Sequence, residues 1–377
     1  MKNKVSKLKL PQISPMIGAG PGIFLKVTHK RKISLSKWLK FILTFIIIIL
    51  STPFRIPDIL YFKHRLKNYK LSPSPLFIIG HWRSGTTFLH NTMTKDRRAG
   101  YVTTYQSVFP NHLRMKPFFE IFMRQLMPEY RPGDNIKMGI DYPQEDEYAL
   151  SNMTSCSFYH FFNFPGSYKE FYKKYVRFNE TTSKNLLEWQ DKYIELIKKA
   201  GIYTHGILPI MKNPVNTGRI RHLLQLFPDA RFIHIVRNPV YVYCSTKKFF
   251  SAVIPALDFQ NITSEEISNM IFWLYENLMK DYLRDRELIA KHNLYEIRYE
   301  DVISQPQAVI DNIFEQLNLG GTMEDKSEIN SYLLNQRTHK TDSYIITKNE
   351  LDTILNKWDF AMKAWDYQVP CDIEVIP

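Results

Sequence analysis

The segment IIGHWRSGTT, residues 78–87, brings together the residue types that hold an anionic phosphate ester. An apolar run, LFII at 76–79, leads into Gly80. Gly85 follows, and Thr86 and Thr87 open a stretch that reads as a helix over residues 86–96. Glycine lets backbone approach an anion closely, and the N–H groups at a helix start have no acceptor inside their own helix. The spacing is that of a phosphate-cradling loop, GxxxxG and two polar positions. A nucleoside-triphosphate loop would carry Lys in place of Thr86 and hold Mg²⁺ through residue 87. Here the cation stands earlier, at Arg83, beside Ser84. The apolar stretch RFIHIV, 231–236, ends in Arg237, where a metal-binding strand would end in aspartate. An anion held by arginine and backbone, without a metal, fits better than a triphosphate with Mg²⁺.

Arg237 belongs to a second element, FIHIVRNPVYVYCS at 232–245. A strand delivers the arginine, Asn238-Pro239 turns the chain, and Ser245 follows in a predicted helix. An arginine fork and a hydroxyl suit a second phosphate group. Together the two elements imply a ligand with two separate anionic groups.

At this point the residues carry a resemblance. The two elements resemble the 5'-phosphosulfate loop and 3'-phosphate site of the sulfotransferases that use 3'-phosphoadenosine 5'-phosphosulfate (PAPS). PQEDEYAL at 143–150, LPIMKNPVNTGRIRHLLQLFPDARFIHIVRNP at 208–239, IRYEDVISQP at 297–306 and QRTHK at 336–340 extend it in order. They are similar to the bacterial and Golgi-type branch, whose loop reads RSGTT. The resemblance implies that Arg83, Ser84, Gly85, Thr86 and Thr87 hold the 5'-phosphosulfate and that Arg237 and Ser245 hold the 3'-phosphate. It implies that Lys212 faces the donor and stabilises the leaving group, the alternative being a surface lysine. Arg337, His339 and Lys340 resemble a late basic segment that closes over the nucleotide; a solvated charged loop is the other reading. PAP would be the product, and no metal is called for.

Sulfuryl transfer needs in-line attack by an acceptor hydroxyl, stabilisation of charge on the departing phosphate, and a base for the hydroxyl proton. The acidic cluster Asp141, Glu145, Asp146 and Glu147 is the best source of that base, since neighbouring carboxylates raise one another's pKa. Glu145 is the expected base. His81 and His90 compete because they flank the loop, and a helix-capping role is the structural alternative.

These residues need a scaffold that alternates strand and helix. LFII, RFIHIV and LYEIRY (294–299) read as strands, the first of them wholly apolar, as in a buried parallel sheet. Thr263-Ser264-Glu265-Glu266 forms a capping box for a helix predicted to run to about residue 291. Ser304 to Leu319 reads as a helix with Ile310, Ile313, Phe314 and Leu317 on one face and Gly320 at its end. The expected fold is α/β: a P-loop-type central parallel sheet flanked by helices, one catalytic domain over residues 73–377. Residues 117–175 interrupt the rhythm and are unusually aromatic, with Phe118, Phe119, Phe122, Phe158, Tyr159, Phe161, Phe162, Phe164, Phe171 and Tyr172 among them. They read equally as core packing of an inserted helical layer or as an apolar pocket for a sterol, lipid or aromatic alcohol.

The chain of 377 residues is 44% hydrophobic, enough for a large core. Its net charge of +13 is concentrated: residues 1–40 hold ten Lys or Arg and no acid. Nucleic-acid binding, which asks for a basic stripe across the folded domain, is not indicated. Residues 1–33 read as a basic flexible or surface-bound arm. Residues 34–72 contain FILTFIIIILSTPF, a 14-residue uncharged run against about 20 for a spanning helix. It reads as a buried or interfacial helix, with a short signal-anchor as the alternative. Cys156, Cys244 and Cys371 make no disulfide framework or zinc site. A cytoplasmic bacterial enzyme, lying on the inner membrane or free, is expected; a Golgi-type anchor is the alternative, with Asn152, Asn179 and Asn261 in glycan-acceptor triplets. Two rival functions remain: a P-loop kinase or NTPase, and a membrane-attached protein that binds a nucleotide without catalysis.

Overall fold

The computed structural model describes residues 13–127, 138–321, 323–335 and 344–377. Five parallel strands form the central sheet: β1 (Leu76–Ile79), β2 (Ala99–Gly100), β3 (Leu208–Lys212), β4 (Arg231–Val236) and β5 (Leu294–Arg298). Their order is β2-β3-β1-β4-β5, and every pairing is parallel. The chain therefore leaves β1, builds one side of the sheet, and crosses back to build the other. In such sheets the crevice beyond the carboxyl ends of the strands flanking that reversal is where ligands bind.

The strands are apolar because both faces are covered. Phe77, Ile79, Met211 and Phe232 point into one core with Phe158, Phe161, Trp189 and Tyr193. Leu76, Ile78, Ile210 and Ile233 alternate to the opposite face, against Leu89, Met93, Val309 and Ile313. A fully apolar four-residue strand is what two-sided burial demands. The α/β sheet flanked by helices agrees with the sequence expectation.

A layer of N-terminal helices and turns packs against this body. A short 3-10 turn, Pro15–Gly18, precedes helices α1 (Pro21–Thr28), α2 (Trp38–Ser51) and α3 (Ile56–Asn68). Residues 13–33 differ from the expected flexible arm. Met16, Ile17, Ala19, Phe24 and Val27 are each at most 5% exposed. Gly18 lies so close to residue 108 that a Cβ there would meet the Val108 carbonyl oxygen at 1.6 Å. Arg31 is tied to Ser167 and to both carboxylate oxygens of Glu170, the latter at 3.1 and 3.2 Å. Burial of these few large apolar groups, together with ion pairs to distant segments, outweighs the local Pro/Gly character.

Other boundaries shift for identifiable reasons. The helix α4 covers Thr86–Met93, three residues short of the expected span. The capping box at Thr263 is present, and its helix Ser264–Asp285 gives way to a 3-10 turn at Arg286–Leu288. The next predicted helix begins at Pro306, the residue type that suits a first helical turn, and ends at Gln316. In the aromatic segment, Phe158, Tyr159, Phe161, Phe162, Phe164, Phe171 and Tyr172 are all buried in the main core. Core packing therefore accounts for them. Phe118, by contrast, is 61% exposed.

Candidate active site

The loop after β1 is shaped by three positive φ angles: Gly80 at 140°, Arg83 at 70° and Gly85 at 99°. A Cβ at Gly80 would lie 2.4 Å from the Ile235 carbonyl oxygen, and one at Gly85 2.4 Å from the Tyr299 ring. Glycine is thus required twice, once by packing against β4 and once by the close approach of Tyr299. Arg83 has no such freedom, and a non-glycine residue at this φ stores strain of the kind found at ligand clamps. Gly85 is the N-cap of α4 and offers no side chain to the first-turn N–H groups. Ser84 and Thr86 are buried beside it.

The loop and the second element meet. Arg83 Nε donates to Ser245 Oγ at 2.9 Å, and Arg237 Nη1 donates to the Arg83 carbonyl at 3.2 Å. Arg237 stands at the tip of β4 with its guanidinium 4.5 Å from the Tyr299 ring centre and 5.5 Å from that of Tyr241. Its Nε is buried without a hydrogen-bond partner. A buried guanidinium N–H left unmatched costs free energy unless an anion arrives to accept it. The strand tip, the glycine loop and the helix start converge. They suit a ligand with two anionic groups.

At the tip of β3, Lys212 is 1% exposed, so it is no surface lysine. Its Nζ lies 2.7 Å from Glu145 Oε1. The other carboxylate oxygen of Glu145 accepts from the Tyr159 hydroxyl, and Trp82 Nε1 donates to that hydroxyl oxygen at 3.0 Å. A chain therefore runs from inside the phosphate loop through Trp82 and Tyr159 to Glu145 and Lys212. Burial, and next the carboxylate of Glu145, hold the Tyr159 phenol far above its ordinary range, so it stays a donor. Tyr159 sits in an aromatic run with no motif to mark it; from sequence it was only one of the clustered aromatics, and Trp82 was not singled out.

The acidic cluster does not act as one. Asp141 is exposed and pairs with Lys116 at 2.6 Å. Glu147 is fully buried among Arg219, Asn213, Ser157 and the Phe158 N–H. Burial alone would raise its carboxyl; Arg219 outweighs that and holds it below the usual range. Asp146 accepts from Tyr193 at 2.5 Å, and burial pushes it up to about 7. Glu145 alone of the four touches Lys212. It occupies the N-cap of the helix Asp146–Met153, yet its side chain makes no capping bond.

The two histidines beside the loop are neutral at ordinary pH. Burial lowers His81 to about 4; its Nδ1 faces the Trp82 carbonyl at 2.9 Å. Burial and then Lys212 lower His90 to about 3, with Nε2 3.2 Å from the Ile210 carbonyl. Sequence reasoning also passed over Thr217, whose Oγ1 accepts from the Gly80 N–H at 2.8 Å, and Tyr299. Arg337, His339 and Lys340 lie outside the described residues.

Comparison with known proteins bears on this geometry. A family model described as "Sulfotransferase family" matches residues 75–324, from β1 to beyond the last sheet strand. The chain is 29% identical over 306 residues to the omega-hydroxy-beta-dihydromenaquinone-9 sulfotransferase Stf3 of Mycobacterium bovis and of Mycobacterium tuberculosis. That match covers 81% of this chain and 78% of the relative. Among solved structures, sulfotransferase STF9 from Mycobacterium avium superposes with a TM-score of 0.68 at 16% identity, covering 95% of this chain and 98% of that one. Sulfotransferase STF1 from Mycobacterium tuberculosis H37Rv gives 0.62 at 12%, covering 85% and 88%. The two structures share the fold. The matched span holds the loop, Glu145, Lys212, Arg237 and Ser245, and the chain belongs to the sulfotransferase family.

Proposed function

We infer that the protein transfers a sulfuryl group from PAPS to the hydroxyl of a hydrophobic alcohol, without a metal. The observation that carries the reading is the junction of Arg83, Ser245 and Arg237, with a buried Arg237 N–H awaiting an acceptor beside the start of α4. Arg83 to Thr87 are assigned to the 5'-phosphosulfate, and Arg237 with Ser245 to the 3'-phosphate. Arg337 and Lys340 remain assigned to the nucleotide by family resemblance.

Glu145 takes the acceptor proton in this account. The acceptor oxygen forms a new S–O bond as the S–O bond to the phosphate breaks, and the hydroxyl proton passes to the carboxylate. Lys212 and Arg83 face the negative charge that appears on the departing PAP. The Tyr159 hydroxyl and the Lys212 ammonium, one on each carboxylate oxygen, keep Glu145 oriented before the acceptor arrives. Neutral His81 and His90 are poor alternatives, because each holds a backbone carbonyl and sits in a dry environment.

The acceptor class follows from two supports. The mycobacterial relative is named for a menaquinone-derived alcohol, and this chain exposes a large apolar surface in its N-terminal helices. A lipid-soluble alcohol with an accessible hydroxyl suits both. The relatives are bacterial, and Asn152 is buried with its amide bonded to the Pro15 and Ser107 carbonyls, which does not suit a glycan site. We place the enzyme in the bacterial cytoplasm. The test is incubation of purified protein with PAPS and a panel of polyprenyl, sterol and sugar alcohols in EDTA, with product masses read out. A sulfated lipid alcohol and free PAP are expected. Phosphorylated product from ATP and Mg²⁺, and none from PAPS, would overturn the reading.

A further inference from the structure

Ten of the 24 large apolar side chains that stand exposed among the described residues fall within residues 35–60. Their spacing puts them on one side. Trp38, Leu39, Ile42, Ile46, Ile49 and Leu50 recur every three or four residues along α2, each at least 44% exposed. Lys40, Thr44, Ile48 and Ser51 occupy the opposite, buried side. On α3 the stripe continues as Ile56, Ile59 and Leu60, then turns basic at Lys63 and Lys67. Phe54, between the helices, stacks on Phe118 at 5.6 Å, which adds Phe118 and Ile121 of the helix Lys116–Leu126 to the same region.

A face this apolar needs an occupant, and charge selects it. Residues 13–72 contain 11 Lys or Arg and one acid, Asp58. Asp58 is buried and accepts the Leu113 and Arg114 N–H groups, both at 2.7 Å. Every exposed Lys, Arg, Asp or Glu of this layer is therefore basic, among them Lys30, Lys32, Lys63, Arg65, Lys67 and Lys70. A symmetric dimer through this face would bring like charges together. An anionic bilayer would attract them while its acyl region accepts the stripe.

A membrane-spanning arrangement is the competing use of the same apolar residues. The helical stretch Leu35–Asn68 is long enough, at 34 residues. Its inner side, however, is bonded to the body. Lys40 Nζ donates to the Ala256 and Asp258 carbonyls at 2.7 and 2.9 Å, Lys37 pairs with Asp258, and the Ser14 N–H reaches Thr44 Oγ1 at 3.3 Å. Crossing a bilayer would strip away these partners along with the buried Ile48 and the Asp58 contacts. We propose that the protein docks on one leaflet of an anionic membrane through the outer face of α2, α3 and the Phe118 helix, with Lys63 and Lys67 at headgroup level and Trp38 at the interface.

The test is flotation of the full-length chain with vesicles of phosphatidylcholine alone or mixed with phosphatidylglycerol. Three proteins are compared: wild type, Leu39→Glu/Ile46→Glu/Leu60→Glu, and Lys63→Glu/Lys67→Glu. Wild type should float with the mixed vesicles and less with phosphatidylcholine alone. The apolar triple variant should lose at least about tenfold in partitioning to both. The charge variant should lose about tenfold on the anionic vesicles only. PAP affinity, measured in parallel, reports that each variant is folded and is independent of docking. Equal flotation of wild type and triple variant would overturn the proposal. So would a dimer that forms without vesicles and is broken by the triple variant, or N-terminal residues shielded from protease added outside the vesicles.

Discussion

Replacing Glu145 by Gln separates the chemistry proposed for this carboxylate from its structural role. The amide keeps the shape and leaves a carbonyl oxygen for the Lys212 ammonium, now 2.7 Å away. What disappears is the group that takes the proton, which is expected to lower kcat by about 10²- to 10⁴-fold. The structural cost is smaller. Removing one partner of a buried ion pair outright costs about 3–5 kcal/mol; with the amide still accepting, about 1–3 kcal/mol is expected. For a chain of 377 residues, an unfolding entropy of about 2.1 cal/mol/K per residue turns 3 kcal/mol into a fall in Tm of roughly 4 °C. The variant should therefore stay folded and bind PAP with wild-type affinity, while turnover with PAPS is lost. Calorimetric PAP titration, a melting curve and an acceptor-transfer assay on one preparation give the three readouts. Near-normal turnover would refute the assignment of the base. Loss of PAP binding together with turnover would show that the Glu145–Lys212 pair builds the donor site instead.

Tyr159→Phe removes the hydroxyl that links Trp82 to Glu145. It should lower kcat by about tenfold and shift the pH–rate profile while leaving PAP affinity unchanged; an unchanged profile would make Tyr159 a packing residue. Gly85→Ala places a methyl against Tyr299 at a φ of 99° and should cost about 1–3 kcal/mol of stability and weaken PAP binding; unchanged binding would remove the loop from the site. Acid should destabilise the fold through buried histidines. Burial, the largest cause for each, lowers His81, His112 and His160 to about 4 and His90 to about 3. The unfolded chain therefore binds more protons below about pH 6.5, and stability falls as pH drops from there towards 4. Asp146, raised to about 7 by burial, opposes one of the four. The net slope should be on the order of 3 kcal/mol per pH unit between about pH 5 and 6, read from urea midpoints; a flat profile would mean these histidines titrate normally in the fold.

The parts of the site legible in the sequence are those where a short apolar strand delivers a charged residue at its end. Gly80 follows β1 and Arg237 follows β4, two strands read from the sequence, so both stand at the carboxyl ends of neighbouring strands; Lys212, the last residue of β3, was marked by the family resemblance. Glu145 was identifiable as one of four acids, but not as the one beside Lys212, because what separates them is tertiary: Arg219 claims Glu147, Tyr193 claims Asp146 and Lys116 claims Asp141. Tyr159 and Trp82 carried no periodic or spacing signal. The packing of residues 13–33 was hidden for a related reason. Its partners, among them Glu170, Asn163 and Phe259, are more than a hundred residues away in the chain, and the local composition of Pro, Gly and Lys speaks only for solvent. In the aromatic segment, residue type was correct for burial and silent on whether a pocket or a packed core would result.

The central claim, a two-anion nucleotide site that works without a metal, is tested most directly by calorimetric titration of the protein with PAP in EDTA, beside Arg237→Ala and beside ATP with Mg²⁺. Metal-free PAP binding that weakens at least about thirtyfold in Arg237→Ala is the predicted result, since the variant removes a charge-assisted contact worth about 2 kcal/mol or more. Absence of PAP binding, with ATP bound only when Mg²⁺ is present, would contradict the account and return the loop to the nucleoside triphosphates.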